Sequence, residues 1–472
     1  MSDAFEKRIK KHIIGKPHRF LAVAPLGFEQ TLINELNRIT TKDEGKEIQA
    51  VSNAEQPHIV GDGKVEFTAK LTEAWKIVAY SRIANRVLMH IADFKAENFR
   101  EFEKKASEIP WELFLDERRK TKDERNSSNL KLVTSNSINI NVTCKHSRLY
   151  HSDAIAERLQ KIIGEKNVGG TTRNTPPQNI YVHFLDDRCT IWQDLAGEEL
   201  YKRGFERFVN EAPLKETIAA AMLFEAFSQA SNHGLSNTSN DQQPTYYCLL
   251  DLMAGSGTFS LEAACIANKI IPGACRDFAL KHQPAFKEAT WNYIVRQENS
   301  NSVVLKEAQQ GAIKIITSDI SERAIEIIKH NVECSPLASI APNGGATTIT
   351  PQFRDFFSYT AKEIAEACPG DTVPVITLNP PYGKRLDFDA PKLYTKIGRK
   401  LTELARELKP YNKTLTVAIL APKDDTRNGA KYTCTANLLH ECAALSPEHN
   451  PSAKFIVTSH GGFSLNAFFA TL

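Results

Sequence analysis

No apolar stretch in this 472-residue chain approaches the ~18 residues that a membrane-spanning helix needs. Its first twenty residues lack the apolar core of an export signal and carry Asp3 and Glu6, which argues against secretion. The nine cysteines include no C-x-x-C pair and no regular spacing, and several (Cys189, Cys248, Cys265) sit inside apolar runs. That pattern argues against a zinc module or a disulfide scaffold. It reads as reduced core cysteine in a cytoplasmic protein without a metal site. Charge of one sign is missing too: 59 Lys and Arg stand against 56 Asp and Glu, a net charge of +3, so bulk charge does not point to nucleic acid. Internal repeats are absent. What is present is ordinary globular composition, 42% hydrophobic and 24% charged, over a length that suits roughly two to four domains.

The glycine-rich turn Asp251-Leu252-Met253-Ala254-Gly255-Ser256-Gly257-Thr258 also has instructive gaps. No lysine follows Gly257, so it is not a phosphate-cradling P-loop, and Ser260 stands where a dinucleotide loop has its third glycine. The turn joins the apolar run Tyr246–Leu250 to the helix-like Phe259–Ile271, the opening unit of a doubly wound α/β fold. Glycines let backbone approach a ligand, and a helix start offers free N–H groups. Asp251, four positions before Gly255, suits a ligand with positive charge and no phosphate, and S-adenosylmethionine meets both conditions. Asp319, followed by Ile320, ends the apolar run Ala312–Thr317 and is placed to take ribose hydroxyls. Asp355, beyond the strand candidate Thr347–Gln352, can accept from an adenine amino group while Phe356 packs on the ring. Each Asp has a plainer reading as a helix cap or turn residue. The order of the four elements favours the cofactor reading, with Ser256, Gly257 and Thr258 completing the loop.

Asn379-Pro380-Pro381-Tyr382 follows the apolar run Val373–Leu378, so a buried strand should deliver it to a sheet edge. The Asn side-chain oxygen and the Pro380 carbonyl can accept two hydrogen bonds from an NH2 group. Pro380 and Pro381 fix φ and remove donors that would compete. Tyr382 offers a face for a flat ring, worth about 1–3 kcal/mol per base. This set suits methylation of an exocyclic amine. Lys384 and Arg385 follow and can meet phosphate or simply face solvent.

With these motifs the chain resembles the THUMP-domain RNA methyltransferases, in particular the bacterial large-subunit (23S) rRNA guanine-N2 methyltransferases. The resemblance runs from Phe20-Leu-Ala-Val-Ala-Pro-Leu-Gly-Phe-Glu29 through Ser81-Arg-Ile-Ala-Asn-Arg-Val-Leu88, Cys144-Lys-His-Ser-Arg-Leu-Tyr-His151, the linker Tyr201-Lys-Arg-Gly-Phe205 and Ala212-Pro-Leu-Lys-Glu216. Ile271-Pro-Gly-Ala-Cys-Arg276 and Trp291 match an insertion of that family. It accounts for a stretch between Asp251 and Asp319 far longer than the usual ~20 residues. The resemblance implies that Asn379, Pro380 and Tyr382 hold guanine. It also implies that Asp251, Gly255, Gly257, Asp319 and Asp355 hold the cofactor, and that Ala212 to Lys215, including Pro213, flank its methionine end. Met253-Ala254 depart from the family, which more often has proline and an aromatic or cysteine there.

The organisation expected is a basic arm (1–19), a ferredoxin-like part (20–70), a THUMP-like RNA-binding domain (71–200), a linker (201–212) and a methyltransferase domain (213–472). Within 71–200, a helix is expected over Leu71–Val87, then a β-α-β arrangement of strand Ile138–Thr143, helix Asp153–Ile163 and strand Ile180–Phe184. Thr414–Leu420 is expected as a fifth strand of the last domain. A closing hairpin, Phe455–Ser459 and Ser464–Thr471, then completes a single catalytic domain. Basic clusters at Lys7–Arg19, Arg118–Lys131 and Lys202–Arg207 are candidate phosphate contacts or solvated faces. The alternatives are a tRNA guanine or an adenine-N6 substrate, a protein-glutamine substrate, a non-catalytic RNA-binding factor and, furthest, a dinucleotide oxidoreductase.

Overall fold

The computed structural model describes residues 3–40, 56–115, 138–165, 176–210, 213–234, 246–297, 313–340, 347–382, 389–425 and 433–472. The basic cluster at 118–131, Ala212, Lys384 and Arg385 lie outside the described residues. Two compact units form. One comprises Met1–Val23, Leu36–Lys202 and Arg276–Asn301, the other Ala24–Glu35, Arg203–Cys275 and Ser302–Leu472. No described helix is long and apolar enough to cross a membrane.

The first unit holds strands β1 (Pro17–Val23), β2 (His58–Gly61), β3 (Lys64–Lys70), β4 (Arg86–Lys95), β5 (Asn139–Lys145), β6 (Asn179–Leu185) and β7 (Arg188–Asp194). They make one sheet in the order β2-β3-β1-β4-β7-β6-β5. β5 and β6 pair in parallel and flank the helix Ser152–Glu165 in sequence, the β-α-β arrangement expected there. The helix begun at Leu71 ends at Tyr80 rather than Val87. Ser81 turns extended and its hydroxyl accepts from the Ala84 N–H at 2.9 Å, after which Val87 and Ile91 continue as β4. The first basic stretch is also folded. A helix (Asp3–Ile9) and a wider turn (Lys10–Ile14) bury Ile9 and Ile13, Arg8 pairs with Glu112, and Arg19 pairs with Asp93.

Asp194, at the end of β7, is buried and accepts from Arg86 at 2.6 Å, Asn179 at 3.2 Å and the Ala196 N–H at 2.9 Å. Burial pushes its carboxyl up and the Arg86 charge opposes that. Asp194→Ala leaves the guanidinium uncompensated, so a loss of about 3–5 kcal/mol is expected, read by denaturant unfolding.

The second unit holds β8 (Tyr247–Asp251), β9 (Ile313–Asp319), β10 (Pro351–Phe353), β11 (Val373–Leu378), β12 (Thr416–Pro422), β13 (Lys454–His460) and β14 (Phe463–Thr471). Their order is β10-β9-β8-β11-β12-β14-β13, with the first five parallel and β14 antiparallel to both neighbours. All of β8 and β12 is buried, as strands covered on both faces must be. The helix Ala390–Leu408 places Tyr394, Ile397, Leu401, Leu404 and Leu408 on one stripe in the core. It starts cleanly because Asp389 caps the Lys392 N–H and a proline occupies its first turn. β10 is shorter than the Thr347–Gln352 run suggests and starts at Pro351, a residue that edge strands tolerate. The strand order reverses between β8 and β11, and in open α/β sheets ligands bind outside the carboxyl ends of the strands at such a point.

Candidate active site

Asp251 ends β8 at that switch point and is 1% exposed. One carboxylate oxygen accepts from the Ser260 N–H (3.1 Å) and hydroxyl (2.7 Å), while Oδ1 has no partner among the described residues. Burial pushes the carboxyl up to about 7, with the Asp319 charge adding and the two Ser260 bonds opposing. A buried acceptor left open is costly to the fold and therefore points to a ligand donor or cation. Ser260, an imperfection if the loop is read as dinucleotide-binding, is what anchors this aspartate. It also meets the Thr317 hydroxyl at 2.7 Å.

The glycines after Asp251 differ in purpose. Gly257 has φ +76°, and a Cβ there would come within 3.0 Å of Ile328. Gly255 has φ +54°, yet a Cβ there would meet no protein atom within 4 Å. The space over Gly255 is open and fits an incoming ligand. Gly257→Ala is expected to lower stability by about 1–3 kcal/mol through backbone strain. Gly255→Ala shares the positive-φ strain but not the Ile328 contact, so it is expected to lose less stability than Gly257→Ala while losing ligand affinity. Thermal unfolding and ligand titration on both variants check the contrast. Ser256 and Thr258 are buried, and both hydroxyls lie near Arg207, at 3.4 and 3.0 Å. Arg207 also pairs with Glu216.

Asp319 ends β9 and braces two loops, accepting from the Gly255 N–H at 2.8 Å and the Ser321 N–H at 2.9 Å. Ile320 beside it is 66% exposed. Asp355 caps a short 3₁₀ turn, accepting from the Phe357 N–H at 3.0 Å. Phe356 is 1% exposed and packs in the core among Leu250, Leu252 and Leu378.

Asn379 follows β11 directly, and its Oδ1 is buried with no partner among the described residues. Pro380 is buried, Pro381 is exposed and Tyr382 is half-buried. The Tyr382 hydroxyl lies 3.2 Å from His460 Nδ1, and its ring stands edge-on to Phe463 at 5.8 Å. Lys215 and Pro213 precede the helix Glu216–Gly234, and His460 feels the Lys215 charge. Two open, buried acceptors, Asp251 Oδ1 and Asn379 Oδ1, therefore follow neighbouring parallel strands.

Residues 203–421 match the family described as UPF0020, RMKL-like, methyltransferase domain. Among curated proteins, the chain is 28% identical to a ribosomal RNA large subunit methyltransferase K/L of Allochromatium vinosum, covering 82% of this chain and 46% of that protein. It is 27% identical to the one of Psychromonas ingrahamii, covering 71% and 40%. The chain thus spans about half the length of the curated relatives it matches. A possible methylase from Clostridium difficile 630 superposes with a TM-score of 0.63 at 20% identity, covering 96% of this chain and 98% of that one. SMU.472, described as a methyltransferase complexed with SAH, gives the same TM-score, identity and coverage. These structures establish the Rossmann-like methyltransferase fold expected from the strand–turn–helix unit.

Several contacts that hold the second unit together carried no sequence signal. Arg203 and Glu262 form a buried ion pair at 2.9 Å, so this linker arginine is not a free phosphate contact. Asn331 is fully buried within a helix, donating to the Ser256 carbonyl at 3.1 Å and exchanging two bonds with the Phe208 backbone.

Proposed function

We propose that the chain transfers a methyl group from S-adenosylmethionine to the exocyclic N2 amine of a guanosine in 23S rRNA. The observation that carries the reading is the unpartnered, buried Asn379 Oδ1 at the end of β11, next in the sheet to the strand bearing the unpartnered Asp251 Oδ1. The names of the curated relatives support the substrate class. A cytoplasmic location accords with an rRNA substrate. The β-α-β segment of β5, helix Ser152–Glu165 and β6 suits a THUMP-like RNA-docking role for the first unit, with Lys10, Lys11 and Lys16 exposed on it.

The cofactor fits the residues present. Asp251 offers an ionisable oxygen with no partner, Gly255 leaves open space, and Asp319 and Ile320 follow the next strand with a carboxylate and an exposed apolar side chain. When bound, S-adenosylmethionine supplies a sulfonium-activated methyl group. Asp251, Gly255, Ser256, Gly257, Thr258, Asp319, Ile320, Asp355, Phe356, Pro213 and Lys215 make up the proposed cofactor set. Ser256, Thr258 and Phe356 support it from buried positions.

A guanine extruded from its stack, at a cost of a few kcal/mol, meets Tyr382 face to face. Asn379 Oδ1 and the Pro380 carbonyl accept from its N2 amine. Those bonds draw the nitrogen toward tetrahedral geometry and turn its lone pair out of the ring. The proline pair holds both acceptors still, so acceleration comes from position and fixed dipoles. The amine becomes acidic on methylation and releases its proton to water, so no strong base is needed beforehand. Tritiated S-adenosylmethionine incubated with unmodified 23S rRNA and tRNA transcripts tests the substrate. Label in the 23S transcript is expected, and label confined to tRNA or to protein would overturn it.

A further inference from the structure

The hairpin of β13 and β14 turns on Gly461 and Gly462, both with positive φ (+59° and +82°), the conformation a two-residue primed turn requires. The turn sets His460 directly opposite Phe463 as the closing cross-strand pair. Both side chains reach Tyr382. The Phe463 ring meets it edge-on at 73° and 5.8 Å, and His460 Nδ1 lies 3.2 Å from its hydroxyl. The tautomer protonated at Nε2 lets Nδ1 accept from the phenol.

We propose that this hairpin tip is a clasp on the base-stacking shelf, with His460 as the positioning residue that fixes Tyr382. The proposal rests on the function above, in which Tyr382 receives the guanine. A tyrosine ring held only by its own backbone turns about χ1. The hydroxyl bond at one end and the Phe463 edge at its side leave one orientation, and a stacked base inherits it. Phenylalanine in place of Tyr382 would offer a similar face without this anchor, which gives the hydroxyl a role that stacking alone does not require.

The clasp works with neutral histidine. Burial holds His460 below the ordinary imidazole range, the nearby Lys215 charge adds to that, and the Pro213 backbone opposes it. Lys215 is the charged group that faces His460 among the described residues, and Tyr382 is its other titratable neighbour. Protonation at low pH turns Nδ1 into a donor, so the phenol loses the bond it donates and must turn to accept instead. It also sets a second cation beside Lys215, and the neutral-pH arrangement of Tyr382 is lost on the acid side.

The test is a double-mutant cycle on methyl transfer at saturating cofactor, with His460→Phe, Tyr382→Phe and the double variant. Each single variant is expected to lose roughly tenfold in kcat, and the double variant to lose no more than either. His460→Asn keeps an acceptor near the Nδ1 position and is expected to recover most of the loss. The acid limb of kcat should vanish in Tyr382→Phe. Losses that multiply in the double variant, or an acid limb that persists without the hydroxyl, would overturn the clasp. NMR titration of His460 provides a readout without RNA. Its pKa should rise in Tyr382→Phe, because the bond that favoured the neutral ring is gone. An unchanged pKa contradicts the clasp even if the chain methylates RNA. A shifted pKa in a wild-type protein that transfers no methyl group supports the clasp while refuting the function.

Discussion

Asn379→Ala is expected to lower methyl transfer to RNA by about 100- to 1,000-fold while leaving affinity for S-adenosylmethionine unchanged. The magnitude is that of removing one preorganised polar group from a reacting centre. Its physical basis is that Asn379 Oδ1 is buried with no donor among the described residues. An acceptor in that state destabilises the fold by about 1–3 kcal/mol. Its removal should therefore leave thermal stability unchanged or raise it. A structural asparagine behaves in the opposite way, since truncation breaks bonds and lowers stability. Single-turnover kinetics, cofactor titration and thermal unfolding on the one variant separate the two roles. Near-wild-type turnover would show that the amine is held elsewhere.

Asp251→Asn should weaken cofactor binding and remove its dependence on pH. The Asp251 carboxyl is pushed up to about 7, mainly by burial, against about 3.9 in an unfolded chain. Between those values the folded, ligand-free protein holds a proton that the unfolded chain has released. This group therefore opposes folding increasingly as pH rises from about 4 to about 7, by up to a few kcal/mol. Asparagine removes that penalty, so the variant should gain stability relative to wild type at pH 8 and gain little at pH 4. A cationic ligand selects the ionised carboxylate, so wild-type affinity should rise with pH toward and through 7, by at most about tenfold per unit. Calorimetric titration with S-adenosylmethionine from pH 5.5 to 8.5 measures this directly. A flat wild-type profile would place the cofactor's charge away from Asp251. The effect is on cofactor affinity, so it is separable from the His460 acid limb, which is read at saturating cofactor.

The parts of the site that were legible in the sequence are those built by contiguous residues. The apolar run Val373–Leu378 coincides with β11, since a buried strand closed by two prolines has sharp ends. The glycine turn after Asp251 and the closing hairpin emerged within a few residues of their expected bounds, because a strand, a turn and an apolar helix each announce themselves locally. What did not emerge depends on partners distant in the chain. Nothing near Ser260 says that it anchors Asp251, and Asn331 lies 75 residues from the loop carbonyl it holds. Arg203 and Arg207 read as linker cations, and only tertiary contact reveals their pairing with Glu262 and Glu216. Phe356 was legible as an aromatic neighbour of Asp355, but the face it turns to the core is set by packing. His460 is one strand-end histidine in sequence and becomes part of the site only when the Gly461-Gly462 turn brings it to Tyr382.

Nucleoside analysis of RNA methylated in vitro tests the central claim most directly. Unmodified 23S rRNA is incubated with the purified chain and isotopically labelled S-adenosylmethionine, digested, and resolved by mass spectrometry. Label in N2-methylguanosine is the expected result, absent when Asn379→Ala replaces the wild type. Label in N6-methyladenosine, or label in N2-methylguanosine that the Asn379 variant still produces, would contradict the account.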